Sequence, residues 1–433
     1  MKLTRWLIFV TSFSLPLYIL RCKNFAFCQD FSPLPFTFLE VLILATFAAW
    51  IYWKYTEIKK GKETVSRLLQ RLRTPFLLPI VLFLLSGVIG TFVSSDLRGA
   101  LGILKAYFVE GFLLYLVVYD FLIITNNLRF ILFSLISSAF WLAIFAIVEA
   151  FLGISPFAPQ ELLRGRVSAL YSTSNAIGLL LAPVLAFIFG WLLFELKFTK
   201  QSKFWVILLL SLALVSLGIY VSGSRGALLG LSLTALFYLV YFVSRGSKLL
   251  QKALPKIFLV VSVISLFGLL VFFLNIGSFT PERPSRGTFL SRPCLWEGAK
   301  NLIFDRPLVG SGLNDFRETQ EPYRTCSLET YQYPHNILLN FWTQTGFLGV
   351  VSFFWLGILL SFKLLSVQKN KLIAVSLVAS LVAIFGHGLV DVPFFKNDLS
   401  AQFWFLVAVG SYLVSFGGRG GASLSSNSSL LGD

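Results

Sequence analysis

The sequence predicts an all-α integral membrane protein of about twelve transmembrane helices, with one long outside loop that contains an amphipathic helix. Three observations carry that prediction. Hydrophobic residues make up 56% of the 433 residues and charged residues only 13%, with a mean hydropathy of +0.80, whereas a soluble globule carries about a quarter charged residues. Apolar runs recur at the roughly 20-residue length that crosses a ~30 Å hydrocarbon layer as a helix. The basic residues fall mostly in alternate connections, the bias that marks cytoplasmic loops.

In order, the apolar runs lie at roughly 5–20, 35–53, 75–94, 102–124, 130–152, 174–196, 204–222, 226–243, 257–276, 336–362, 372–390 and 399–416. The first is short and Pro16 interrupts it, so a cleaved signal peptide competes with a span there; no A-x-A-like site follows. With the N-terminus inside, the inside segments hold Lys2, Arg5, seven basic residues of 54–74, Arg129, three of 197–203, four of 244–256, three of 363–371 and Arg419, which is 21 of 36. The long outside loop 277–335 instead balances seven basic against seven acidic residues. Both termini are then expected to be cytoplasmic. The net charge of +16 follows from this topology and from contact with anionic membrane lipids, and needs no nucleic-acid partner. Residues 1–416 read as a single polytopic domain, and 417–433, rich in Gly, Ser and Asn, as a disordered cytoplasmic tail.

All four cysteines fall outside, Cys22 with Cys28 in the first outside loop and Cys294 with Cys326 in the long one. Two disulfides in an oxidising compartment are the natural expectation, with four unpaired thiols as the alternative. Neither spacing suits zinc, no metal-ligand cluster is read, and no cofactor is expected.

The outside connections carry the polar chemistry. Loop 277–335 shows Leu295, Trp296, Ala299, Leu302 and Ile303 at helical spacing, with Pro293 suited to the first turn and Pro307 to the stop. Arg292 stands at the start of that helix. Ser222-Gly223-Ser224-Arg225-Gly226 separates two apolar spans by a turn with one charge. A Gly/Ser turn at a helix start offers backbone N–H groups, and with an arginine it makes an anion site; the alternative is an arginine that snorkels to headgroups. Arg164 and Arg166, ahead of Asn175, add cations on the same side. His335 follows Pro334 where a helix begins. The positive end of the helix dipole favours the neutral ring, the form that accepts a proton, although a polar helix cap explains the residue too. His387 precedes Asp391 by four residues, so the pair shares a face if the helix continues.

With these motifs in this order, the chain resembles the O-antigen ligase and O-antigen polymerase superfamily of bacterial membrane glycosyltransferases, over about 75–416. The resemblance rests on S-x-S-R-G at 222–226, R-x-x-L-W from Arg292 with Pro307-Leu308-Val309-Gly310-Ser311-Gly312 after it, P-H-N-x-L-L at 334–339, and H-x-x-x-D at 387–391. It implies metal-independent, inverting transfer of a glycan from an undecaprenyl-diphosphate carrier to an acceptor hydroxyl, a lipid A-core sugar for a ligase, on the periplasmic face of the inner membrane. On that resemblance Arg225, Arg292 and Arg166 are expected to hold the diphosphate and His335 to act as base, with Asn336, Asn175, His387 and Asp391 as secondary candidates. The chain departs from the pattern at Ser174-Asn175, where a Pro-Asn dipeptide is common. A polymerase that lengthens the glycan is the alternative within the superfamily. A solute transporter is the alternative outside it, with Glu40, Lys105, Glu110, Asp120, Glu149 and Glu195 as candidate lining groups.

Overall fold

A computed structural model describes residues 1–20, 36–198, 204–244, 292–325 and 331–417. The described residues form helices joined by short turns. The principal ones are α1 (Lys2–Phe13), α2 (Phe38–Lys59), α3 (Val65–Leu72), α4 (Leu77–Val93), α5 (Leu97–Thr125), α6 (Leu128–Leu152), α7 (Asn175–Phe198), α8 (Phe204–Ser222), α9 (Arg225–Ser244), α10 (Arg292–Asp305), α11 (Ile337–Ser366), α12 (Lys371–Gly388) and α13 (Asn397–Gly417). Among the described residues nine helices are long and apolar enough to cross a membrane, or ten if the bent pair α3 and α4 makes one span. The chain is thus a multi-pass membrane protein, and its described residues hold nine or ten of the twelve spans expected.

Two of the expected spans account for the difference. The run at 5–20 is not one helix: α1 stops at Phe13 and a 3₁₀ turn, Leu15–Ile19, follows with Pro16 at its start. Proline has no N–H to donate and its ring crowds the preceding turn, leaving α1 roughly 18 Å long at 1.5 Å per residue. The run at 257–276 lies outside the described residues, as do Cys22, Cys28, Cys326 and the tail 418–433. The amphipathic helix forms as expected: α10 begins at Arg292 and buries Leu295, Ala299, Leu302 and Ile303.

The spans pack as the small and polar residues dictate. α7 and α13 are enclosed on most sides, whereas α8 and α9 turn most of their surface outward. Pro183 has no N–H to offer Leu179 O, one turn back in α7, and side chains of neighbouring helices donate to two carbonyls near the break: Ser380 Oγ to Pro183 O (2.8 Å) and Gln402 Nε2 to Leu180 O (2.9 Å). Interhelical polar groups commonly support a proline-interrupted helix in membrane bundles. α9 meets α12 through Gly226 and Gly230, one turn apart, a spacing that lets two helix backbones approach closely; a Cβ at Gly230 would lie 2.6 Å from Ala383 O.

The segment after α10 is wedged between α4 and α11. α11 breaks at Gly346 (φ 66°, ψ −168°), and a Cβ there would lie 2.0 Å from Leu308 O. Ser311 N donates to Thr343 O (2.6 Å), Trp342 Nε1 to Pro307 O (2.7 Å) and Leu313 N to Gly90 O (2.9 Å). Asp315 fixes the segment to the α4–α5 turn, accepting from Ser95 N and Oγ, each at 2.8 Å. The Pro307–Gly312 motif therefore ties α10 to α11, the two helices that carry Arg292 and His335.

Candidate active site

The sequence-predicted site residues gather at one end of the bundle, where α7, α9, α10 and α11 start and α8 and α12 stop. Arg166 lies across the turn between α8 and α9. Its Nε donates to Ser222 O (3.0 Å) and its Nη2 to Asn175 Oδ1 (2.7 Å). Arg225 opens α9 with an exposed side chain and, among the described residues, has no ion pair or hydrogen bond. Ser224 Oγ accepts from Ala227 N (3.4 Å), so the side chain of the turn, not a ligand, serves one of the first N–H groups of α9.

His335 adopts φ 51°, a left-handed conformation uncommon for a residue with a Cβ and concentrated at functional sites. Asn336 then caps α11, its Oδ1 accepting from Leu339 N (3.1 Å) while its Nδ2 donates to Leu389 O (3.0 Å). These bonds make Asn336 a joint between α11 and the end of α12. His335 Nδ1 lies 3.0 Å from Asp391 Oδ1, and the ring of Tyr331 stands edge-on to the imidazole at 5.8 Å. A carboxylate only accepts, so Nδ1 carries the proton in this pair and Nε2 is left as the acceptor.

Asp391 is the hub. Oδ1 also accepts from Val392 N (3.0 Å), and Oδ2 from Asn175 Nδ2 (3.3 Å), with Arg292 Nη2 at 4.0 Å. Burial pushes its carboxyl group up. The charge and hydrogen bond of His335, then His387 and Arg292, outweigh burial and hold it well below the usual carboxylate range. The arginines are lowered too, which for them disfavours the charged form: burial lowers Arg292 despite Asp391, with Arg166 adding repulsion, and burial lowers Arg166 despite Glu161, with Arg225 and Arg164 adding repulsion. The guanidinium groups of Arg164, Arg166, Arg225 and Arg292, with the two carboxylates of Asp391 and Glu161 among them, leave surplus positive charge in a partly buried place, and an anion relieves it. Arg292 keeps 15% of its side chain exposed and His335 30%, so both remain accessible.

One expected relation differs. α12 ends at Gly388, so His387 and Asp391 do not share a helix face. His387 is buried at 1% exposure, and among the described residues neither ring nitrogen has a hydrogen-bond partner. Its ring fills the room left by Gly226, where a Cβ would lie 2.4 Å away. Glu161 is a participant that the sequence reading missed. It pairs with Arg164 (3.1 Å) and Arg166 (3.9 Å) and accepts from Ser174 N (3.4 Å) and Ser174 Oγ. The departure at Ser174-Asn175 thus keeps a defined place: Ser174 anchors to Glu161, and Asn175 bridges Arg166 to Asp391.

This geometry can be set beside known proteins. Residues 209–354 match the family described as O-antigen ligase. The match, over 146 of the 433 residues, supports the O-antigen ligase superfamily. It spans the Ser222–Gly226 motif, Arg292 and His335, whereas Arg166, Asn175, His387 and Asp391 lie outside it. The family implies a glycosyltransferase-like enzyme, with a lipid-linked glycan and an acceptor as partners in general terms. No curated protein matches the chain.

Proposed function

We propose that the chain is an inner-membrane glycosyltransferase of the O-antigen ligase type. It moves a glycan from undecaprenyl-diphosphate to an acceptor hydroxyl, a lipid A-core sugar, on the periplasmic face, without a metal ion and with inversion. Both termini are cytoplasmic in this reading. The observation that carries it is the hydrogen-bonded chain from His335 through Asp391 and Asn175 to Arg166, with Arg292 beside Asp391 and Arg225 beside Arg166.

Each end of a displacement has a group suited to it. His335 Nε2 accepts the proton of the acceptor hydroxyl as its oxygen attacks the anomeric carbon, and Asp391 holds the ring in the tautomer that can do so. Arg225, Arg292 and Arg166 neutralise the diphosphate as the glycosidic bond breaks, a role that guanidinium forks fill through paired donors. Attack opposite the leaving diphosphate inverts the anomeric centre.

Most of the ionisable residues within the spans favour an enzyme over a transporter, because they are tied to partners. Glu40 pairs with Lys105 (3.1 Å), Asp120 with Lys54 (2.5 Å) and Arg71 (2.7 Å), and Glu195 with Arg129 (3.1 Å), while Glu149 accepts from Ser168 N (3.1 Å). The test is deletion of the gene followed by gel analysis of the surface polysaccharide. Loss of capped lipid A-core supports the ligase, loss of the ladder alone assigns a polymerase, and an unchanged pattern removes both.

A further inference from the structure

At the opposite end of the bundle from the candidate site, the chain between α2 and α4 carries a second built feature. α3 is eight residues long and turned 88° from α4, so it runs along the membrane surface wherever α4 crosses. Its apolar residues, Val65, Leu68, Leu69 and Leu72, recur three and four apart and fall on one face, with Ser66, Arg67, Gln70 and Arg71 opposite. Leu68 and Leu72 pack against the core, while Val65 and Leu69 are each 57% exposed. The helix is pinned from below. Arg71 Nε donates to buried Asp120 (2.7 Å) and Arg71 Nη2 to Glu63 (2.7 Å), and Lys54 and Trp50 Nε1 also bind Asp120, at 2.5 and 2.8 Å.

That network consumes Arg71, Lys54 and Glu63. It leaves Lys59, Lys60, Lys62, Arg67 and Arg73, all exposed and, among the described residues, in no ion pair. Glu57 is the one remaining acid of the stretch 54–74. We infer that α3 and its flanking turns form a docking surface for anionic glycerophospholipid headgroups, with Val65 and Leu69 seated at the acyl boundary and the five cations around the phosphates. An in-plane helix with an apolar edge and a cationic rim has the charge and shape of that partner. The ion network fixes the backbone that carries the rim, so little backbone order has to be acquired on binding. This surface stands apart from the glycan-transfer reading and does not depend on it.

The test uses the full-length protein in phosphatidylcholine bilayers with trace spin-labelled phosphatidylglycerol or phosphatidylcholine. The wild type should immobilise phosphatidylglycerol severalfold in excess. The combined Lys59→Gln, Lys60→Gln, Lys62→Gln, Arg67→Gln, Arg73→Gln variant should fall to within roughly twofold of parity. A Lys363→Gln, Lys369→Gln, Lys371→Gln control should keep the excess. Parity in the wild type, an unchanged excess in the five-site variant, or equal loss in the control overturns the inference. Inorganic phosphate at matched ionic strength should leave the excess in place, and its removal by phosphate would assign the cations to a free anion instead. Independently of lipid preference, a spin label at Leu69 should be shielded from an aqueous quencher and one at Ser66 open to it; equal accessibility would also overturn the seating.

Discussion

Asp391→Asn separates the hub from the groups it serves. In the wild type the carboxylate accepts from His335 Nδ1 at 3.0 Å, from Val392 N at 3.0 Å and from Asn175 at 3.3 Å, with Arg292 at 4.0 Å. The amide keeps the volume and one acceptor but removes the charge, and its NH₂ can donate to Nδ1 and force the proton to Nε2. The group able to accept the acceptor's proton is then lost, so turnover should fall by most of what a general base supplies, on the order of 10²–10⁴. Donor binding should change far less, because the arginines remain and Arg292 loses a neighbouring negative charge. The assay is single-turnover glycan transfer by the purified variant, with donor binding measured on the same preparation. Turnover within roughly threefold of wild type would refute the tautomer argument. Acid unfolding gives a second readout. The carboxyl of Asp391 is held low in the folded state, so its contribution is fully present above the ordinary carboxylate value of about 4 and is lost as pH falls towards the folded value. The stability gap between wild type and variant should therefore be flat above about pH 5 and shrink below it; a gap that widens in acid would contradict the sign.

Arg225→Lys should already impair transfer and Arg225→Ala should impair it further, since an ammonium cannot reproduce a bidentate fork; normal transfer by the alanine variant removes Arg225 from the donor site. Transfer should survive EDTA, and a loss that Mg²⁺ or Mn²⁺ restores would count against neutralisation by arginine. Gly346→Ala places a Cβ 2.0 Å from Leu308 O at φ 66°. It should destabilise the protein by about 2–4 kcal/mol from left-handed strain plus overpacking, read as a lowered Tm in detergent; an unchanged Tm would mean that the wedged segment is not held as described.

The bundle was legible in the sequence because lipid imposes a length, and runs such as 130–152 and 372–390 meet it in plain view. α1 was overread because hydropathy averages across Pro16, whereas the hydrogen-bond ladder does not. α3 went unread as an element although Val65, Leu68, Leu69 and Leu72 carry helical spacing, because eight residues in a basic connection look first like a loop. Arg225, Arg292 and His335 stood out as polar residues at the edges of apolar spans. The partnership of His335 with Asp391 could not be read, since the two are 56 residues apart and meet only through the packing of α11 on α12. Local spacing pointed instead to His387, which the end of α12 at Gly388 turns into the bundle. Glu161 was hidden for the same reason: its proximity to Arg164 in sequence reads as a helical pair, and its bonds to Ser174 and Arg166 depend on how the loop folds back.

The most direct measurement is donor binding and turnover of His335→Ala on one purified preparation. The variant should fold, bind undecaprenyl-diphosphate-linked glycan close to wild type through Arg225, Arg292 and Arg166, and transfer it on the order of 10²–10⁴ times more slowly. Turnover near wild type would reduce His335 to the residue that leads into the Asn336 cap, and loss of binding together with turnover would assign it to donor recognition; either result contradicts a base at this position.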